Sequence, residues 1–280
     1  MGNAHQLVEP GQEDPLSFAV AERDRSVVDM VRQALNSGRT LLAFQPVVDS
    51  RAPKGTVAFY EGLIRILDEN GRPIPAVDFM PIVENLDIAR EIDCASLRNG
   101  LGALGRKADL RLAVNMSARS IGYPKWRSIL SKALKANPAL AERLILEITE
   151  SSAMQMPDLV MTFMDELQDR GVTFALDDFG AGNTAFRYFK DFYFDIIKID
   201  GQFSRNVQND PNNQCLINAL IGIGRHFDMF TVAERVETKE EADFLVKAGI
   251  DCMQGYYYGA PETRPAWLRS AKRAKAARAS

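Results

Sequence analysis

Two hydrophobic rhythms alternate along the chain. Short apolar runs rich in β-branched and aromatic residues read as strands: LLAFQPVVD from residue 41, VAFYEGLIRI from 57, LRLAVNMS from 110 and LILEITE from 144, followed by VTFALDD from 172, DIIKID from 195, FTVAERV from 230 and DCMQGYY from 251. Between most of them lie amphipathic segments with helix signals at their ends. Ser26 is placed to cap a helix that stops at Asn36-Ser37-Gly38, and Asp78 to cap one beginning at Phe79. Pro157 sits where a first helical turn opens before DLVMTFMDELQDRG, which ends at Gly171. Thr238 and Glu241 have the spacing of a capping box.

Eight strands alternating with helices over about 250 residues have the size and rhythm of a (β/α)8 TIM-like barrel. A doubly wound open sheet is the structural alternative. No linker rich in Gly, Pro or Ser divides the chain. The reading is therefore a polar, flexible leader over residues 1–25, one barrel over 26–263 and a basic tail over 264–280.

Composition narrows the chemistry. With 46% hydrophobic and 25% charged residues in a chain of 280, this is an ordinary globular composition. No apolar run approaches the roughly 20 residues of a transmembrane helix, and the acidic start lacks the pattern of a signal peptide. Three cysteines, far apart, argue against a disulfide framework and for a reducing cytoplasm. The two histidines, His5 and His226, leave little room for histidine-based hydrolysis or zinc. The tail carries six Lys or Arg and no acid, and reads as a solvated helix end rather than a DNA or RNA contact.

Each strand run carries a polar residue at or near its C-terminal end: Glu61, Asn115, Glu147, Asp177 with Asp178, Lys198, Glu234 and Gln254. In a parallel barrel these ends share one mouth, where barrel enzymes place their chemistry. Singly, each is more often a turn or cap residue. Together, five carboxylates and an amide would repel one another unless cations sat among them. Oxygen donors without Cys or His suit hard ions such as Mg2+ or Mn2+. So many carboxylates make two ions plausible, the arrangement suited to hydrolysis of phosphate esters. The adjacent Asp177 and Asp178 then read as a metal bridge, provided the strand end turns both into the mouth. Lys198 and Arg65 would help to reverse the field for an anionic substrate. A Schiff-base enzyme built on Lys198 is a reading from another class, disfavoured by the acids around it.

The stretches FQPVVD, YEGLIR, FMPIVE, VNMS, LEITES, LDDFGAGNT, IIKID, AERVE and QGYYYGAPE, in this order from about Leu42 to Pro261, resemble the EAL-domain phosphodiesterases of cyclic di-GMP. The resemblance implies a barrel with one reversed strand, two bound Mg2+ or Mn2+ ions, hydrolysis to linear pGpG and a homodimer. By position, it implies that Glu61, Asn115, Glu147 and Asp177 bind one metal, and that Asp177 and Asp178 hold the second. Glu234 would be a ligand or base, and Lys198 would position the attacking water. Gln254 would complete the site, Gln45 and Arg65 would contact substrate, and Glu150 would anchor the loop after Asp178. Three departures from the family pattern stand out. Gly62 replaces the alanine of the signature triplet and is expected to loosen its strand. Asn183-Thr184-Ala185 lies in the loop after Asp178. Arg235 replaces a glycine, and is expected either to be strained by a positive φ or to reach a substrate phosphate. A catalytically silent receptor for the dinucleotide or a protein partner is the alternative function.

Overall fold

The structure is a computed structural model that describes residues 15–53, 55–181 and 192–268. The elements run α1 (Pro15–Asn36), β1 (Thr40–Asp49), β2 (Val57–Leu67), β3 (Pro73–Pro75), α2 (Met80–Val83), α3 (Ile88–Arg106), β4 (Leu112–Asn115), α4 (Pro124–Ala136), β5 (Leu144–Thr149), α5 (Glu150–Gln155), α6 (Pro157–Gln168), β6 (Thr173–Phe179), β7 (Ile196–Ile199), α7 (Gly201–Ser204), α8 (Pro211–His226), β8 (Phe230–Ala233), α9 (Lys239–Ala248) and β9 (Cys252–Gln254). The sheet order β1-β9-β8-β7-β6-β5-β4-β2, with β1 also paired to β2, closes an eight-stranded barrel. All neighbours are parallel except β1, which is antiparallel to both β2 and β9. The open sheet is thus excluded and the reversed strand is present.

The strand runs reappear within a few residues at either end, and three local expectations are corrected. The helix expected from Ser26 covers Pro15–Asn36, so that Ser26 lies mid-helix and the end of the proposed leader is helical. Asp78 does not cap a helix, because it closes a 3-10 turn over Ala76–Asp78 and α2 has Phe79 as an N-cap without a side-chain bond. The last strand run stops at Gln254, so the tyrosines after it lie outside the sheet. By contrast, Pro157 opens α6, and Thr238 and Glu241 form a reciprocal capping box on α9. The short hairpin of β2 with β3 was not legible. It exists because β2 overshoots the barrel, and its end pairs Arg65–Leu67 with Pro73–Pro75.

Two hydrophobic layers result. A large outer core lies between sheet and helices, with Trp126, Phe163 and Phe174 in edge-to-face contact. A separate plug fills the barrel: Val47, Phe59, Ala113, Ile145, Ala175, Ile196, Val232 and Cys252, one residue from each barrel strand. Because side chains in a strand alternate faces, the next inward position on each strand lies two residues on. Those positions are Glu61, Asn115, Glu147, Asp177, Lys198, Glu234 and Gln254, with Gln45 on the reversed strand. The polar mouth is the layer directly above the plug.

Candidate metal centre and catalytic mouth

Lys198 sits at the centre of this layer. Its side chain is 1% exposed, and Nζ lies 2.8 Å from Glu234, 2.9 Å from Asp177, 3.2 Å from Glu147 and 3.3 Å from Glu61. Burial favours a neutral amine. The four carboxylates outweigh it and push the Lys198 pKa well above its ordinary value. An amine ion-paired to four carboxylates is poorly placed to act as a nucleophile, which disfavours the Schiff-base reading.

The carboxylates are treated unequally. Glu61 accepts from Asn115 Nδ2 at 2.7 Å, from Gln254 Nε2 at 2.6 Å and from Lys198. Burial acts to raise its pKa, but the Lys198 charge and these donors hold it below the usual value. Gln254 Nε2 is also 3.1 Å from Gln45 Oε1, and Gln45 donates to the Gly259 carbonyl at 3.1 Å, so the polar ring continues across the reversed strand. Gly255 makes this possible. A Cβ there would lie 2.0 Å from the Val236 carbonyl oxygen, and that backbone bonds to Gln254 and Tyr257. Only glycine allows the chain after Glu234 to lie against the end of β9.

Among the described residues, Glu147 and Glu234 have Lys198 but no side-chain amide donor. Burial raises the pKa of Glu147, and the Glu61 charge adds to it; burial lifts Glu234 to about 8 despite Lys198. Asp178 is raised to about 6 by burial and by Asp177 beside it. The buried Glu147 Oε1 has no hydrogen-bond partner. Asp177, Asp178 and Glu234 each offer an oxygen within 4.8 Å of the other two. The backbone explains how neighbours in one strand both face inward. The pairing of β6 with β7 breaks register between Leu176 and Phe179, and Asp178 adopts φ 55°, so the bulge turns it to the side of Asp177. Aspartate tolerates this left-handed geometry better than most residues. An orphaned buried oxygen and a carboxylate cluster of oxygen-only donors fit a hard divalent cation.

Arg65, Glu150 and Arg235 lie near the acidic ring. Arg65 is half-buried, donates to the Ile64 carbonyl and has its pKa lowered by burial against the charges of Glu61, Tyr256 and Asp78. Glu150 Oε2 accepts from Gly180 N at 3.1 Å, just beyond Asp178. Asn183-Thr184-Ala185 lies outside the described residues. Arg235 has φ 52° and is exposed, with Cβ, Cγ and Cδ packed over Gly201 at the start of α7. The positive φ anticipated for this position is thus present. The expected loosening at Gly62 is not found. A Cβ at Gly62 would lie 2.9 Å from Leu42 Cδ1 and 3.2 Å from the Ala113 carbonyl oxygen, so neighbours already occupy that space. A cavity of about 410 Å³ adjoins the site, its lining including Glu61, Asn115, Asp177 and Asp178 together with the apolar Leu63, Met80 and Ile92. Sequence reasoning missed Asp93, Ser117, Ser120 and Ser152, which bond to one another around the turn after Asn115. Small polar residues in a turn or inside a helix carry no such signal of their own.

A family model described as EAL domain matches residues 28–261. The chain belongs to the EAL domain family. Over 250 residues this EAL domain is 30% identical to the bifunctional diguanylate cyclase/cyclic di-GMP phosphodiesterase MucR of Pseudomonas aeruginosa, covering 87% of this chain and 36% of that protein. It is 29% identical to the cyclic di-GMP phosphodiesterase PdeF of Escherichia coli, covering 85% and 32%. It therefore spans about a third of the length of these curated relatives. Among solved structures it matches the PaMucR phosphodiesterase in its c-di-GMP complex, with TM-score 0.74, 29% identity, and coverage of 87% of this chain and 99% of that one. The FimX EAL domain of Pseudomonas aeruginosa bound to c-di-GMP matches with TM-score 0.76, 28% identity, and coverage of 85% and 96%.

Proposed function

We propose that the chain is a metal-dependent phosphodiesterase that hydrolyses cyclic di-GMP to linear pGpG. The observation that carries this reading is the acidic ring around Lys198, in a family whose relatives bear that activity in their names. Glu61, Asn115, Glu147 and Asp177 would hold one Mg2+ or Mn2+, and Asp177, Asp178 and Glu234 a second. Bound cations would supply a Lewis acid for the phosphoryl oxygens and water acidified for attack.

The chain's own groups do the rest. With the charge of bound cations beside it Glu234 would be ionised, and it accepts the proton that the attacking water gives up as its oxygen bonds to phosphorus. The phosphorus–oxygen bond to one ribose breaks, and the proton held by Glu234 passes through solvent to that departing oxygen. Lys198 stays charged and steadies the negative charge that grows on the phosphoryl group. Gln45, Gln254, Arg65 and Arg235 orient the dinucleotide, with the apolar lining of the adjoining cavity taking a base. This reading includes a homodimer, tested by sedimentation velocity, and a cytoplasmic location, in keeping with three free cysteines. Among the described residues, no helix is long and apolar enough to cross a membrane.

The deciding assay incubates the purified protein with cyclic di-GMP and Mg2+ or Mn2+ and follows pGpG by chromatography. Product from the wild type and none from Glu61→Ala is the expected result. Binding of the dinucleotide without any product would instead establish the receptor reading.

A further inference from the structure

The strand ends that carry the acidic ring are tied together from outside the barrel. Ser152, in the short α5 that follows β5, accepts from Ala118 N at 2.9 Å and lies 3.4 Å from Ser117 Oγ. The turn it holds is the one that directly follows Asn115. From the other side, the buried Asp93 of α3 accepts through Oδ2 from Ser117 N at 2.9 Å and from Ser120 Oγ at 2.6 Å. The same turn is thus gripped by two side chains from two different helices. At its entrance Met116 N donates to the Glu147 carbonyl at 2.9 Å, and at its head Asn115 donates to Glu61. Ser152 is itself fixed, since its backbone N bonds to Thr149 Oγ1, the cap of α5, while Glu150 reaches Gly180 beyond β6.

We propose that Ser152 and Asp93 are positioning residues for the cation site, acting as a clamp on residues 116–120 that fixes Asn115 against Glu61 and Glu147. The proposal rests on the reading that this ring binds divalent cations. Asn115 has one amide, and with Nδ2 committed to Glu61 its Oδ1 is the atom that can ligate. The torsion that aims Oδ1 is set by the backbone the clamp holds. Losing one grip leaves the fold, which is built on the plug and the outer core, but lets this ligand drift.

Mn2+ titrations of metal-free protein, read by calorimetry and by the paramagnetic resonance of the free ion, test this without substrate. The wild type, Ser152→Ala, Asp93→Ala and Asp93→Asn are compared, each with a melting curve. Partners behind metal ligands typically change affinity by about 10–100-fold. Ser152→Ala and Asp93→Ala are expected to bind Mn2+ roughly tenfold more weakly, while Asp93→Asn, which keeps an acceptor oxygen, recovers most of the loss. Wild-type affinity in a folded Ser152→Ala protein overturns the clamp, and if Asp93→Ala does not fold, Ser152→Ala alone decides. A wild type that binds no Mn2+ overturns the cation reading and the clamp with it, a result distinct from the previous one.

Discussion

The two halves of the polar ring are built by different rules. On the side of the reversed strand, Glu61 is surrounded by donors from Asn115, Gln254 and Lys198, and Gln45 extends that network. On the opposite side Asp177, Asp178 and Glu234 face one another across less than 4.8 Å. Both halves stand on the same apolar plug, so burial alone does not distinguish them. The difference lies in the partners: protein donors satisfy the first half and leave its carboxylate ionised. The second half has Lys198 but no such amide donors, so burial, with neighbouring like charge added, raises the pKa values of Asp178 and Glu234. In the protein alone the first half is rich in amide donors, whereas the second has more carboxylate oxygens than Lys198 can satisfy.

Removing Lys198 should break this comparison most severely. The lysine pairs with carboxylates of both halves, and it is buried among four of them. Lys198→Met leaves those acids without their cation. Taking one partner out of a buried ion pair costs about 3–5 kcal/mol. We expect a loss of that order in urea denaturation of the metal-free variant. Added Mn2+ should restore part of it, because a divalent ion brings charge to the same carboxylates.

Glu234→Gln sharpens the comparison with the opposite sign. In the folded, metal-free protein Glu234 keeps its proton to about pH 8 and Asp178 to about 6. Between the unfolded carboxyl values and those pH values, the folded state binds more protons than the unfolded one. Stability then falls as pH rises through this window. Glu61 acts in the other sense: its lowered pKa contributes stability that is present above the unfolded value and lost only as pH falls through the folded one. Urea melts from pH 5 to 8 should therefore show metal-free stability declining toward pH 8. Glu234→Gln should remove much of that slope and stabilise the metal-free protein by about 1–3 kcal/mol at pH 8. It should also lose the stabilisation that Mn2+ gives the wild type. A flat wild-type profile would contradict the inequality of the halves.

How much of this could be read from the chain follows from what each feature depends on. The eight strand runs and their polar ends were legible because alternation in a strand is local, and inward positions two residues apart carry it. The acids of the ring were therefore visible one by one. Their inequality was not, since it depends on which neighbour across the barrel donates to which carboxylate. The bulge at Asp178 was anticipated only as a way for two adjacent acids to share a mouth, because a φ of 55° in a non-glycine residue leaves no trace in composition. Ser26 and Asp78 misled because serine and aspartate cap helices and populate turns alike. The clamp of Asp93 and Ser152 joins residues far apart in sequence through single hydrogen bonds, which periodicity does not report.

The smallest expected effects come from restoring the family residue beside each half. In the donor-rich half, Gly62→Ala puts a Cβ 2.9 Å from a Leu42 methyl and 3.2 Å from the Ala113 carbonyl oxygen. Leu42 can yield by rotating, but the carbonyl belongs to the ladder of β4 and cannot, so a cost of about 1 kcal/mol is expected from overpacking. In the acidic half, Arg235→Gly removes a side chain held at φ 52°. A left-handed residue other than glycine costs about 1–2 kcal/mol, and glycine returns part of that gain as entropy in the unfolded chain. A net stabilisation of about 0–1 kcal/mol follows. Paired thermal melts of the two variants should thus move in opposite directions, Gly62→Ala downward and Arg235→Gly unchanged or upward. If Arg235→Gly melts clearly lower, the packing of the arginine stem over Gly201 outweighs its backbone strain, and the side chain is a structural strut on the acidic side of the mouth.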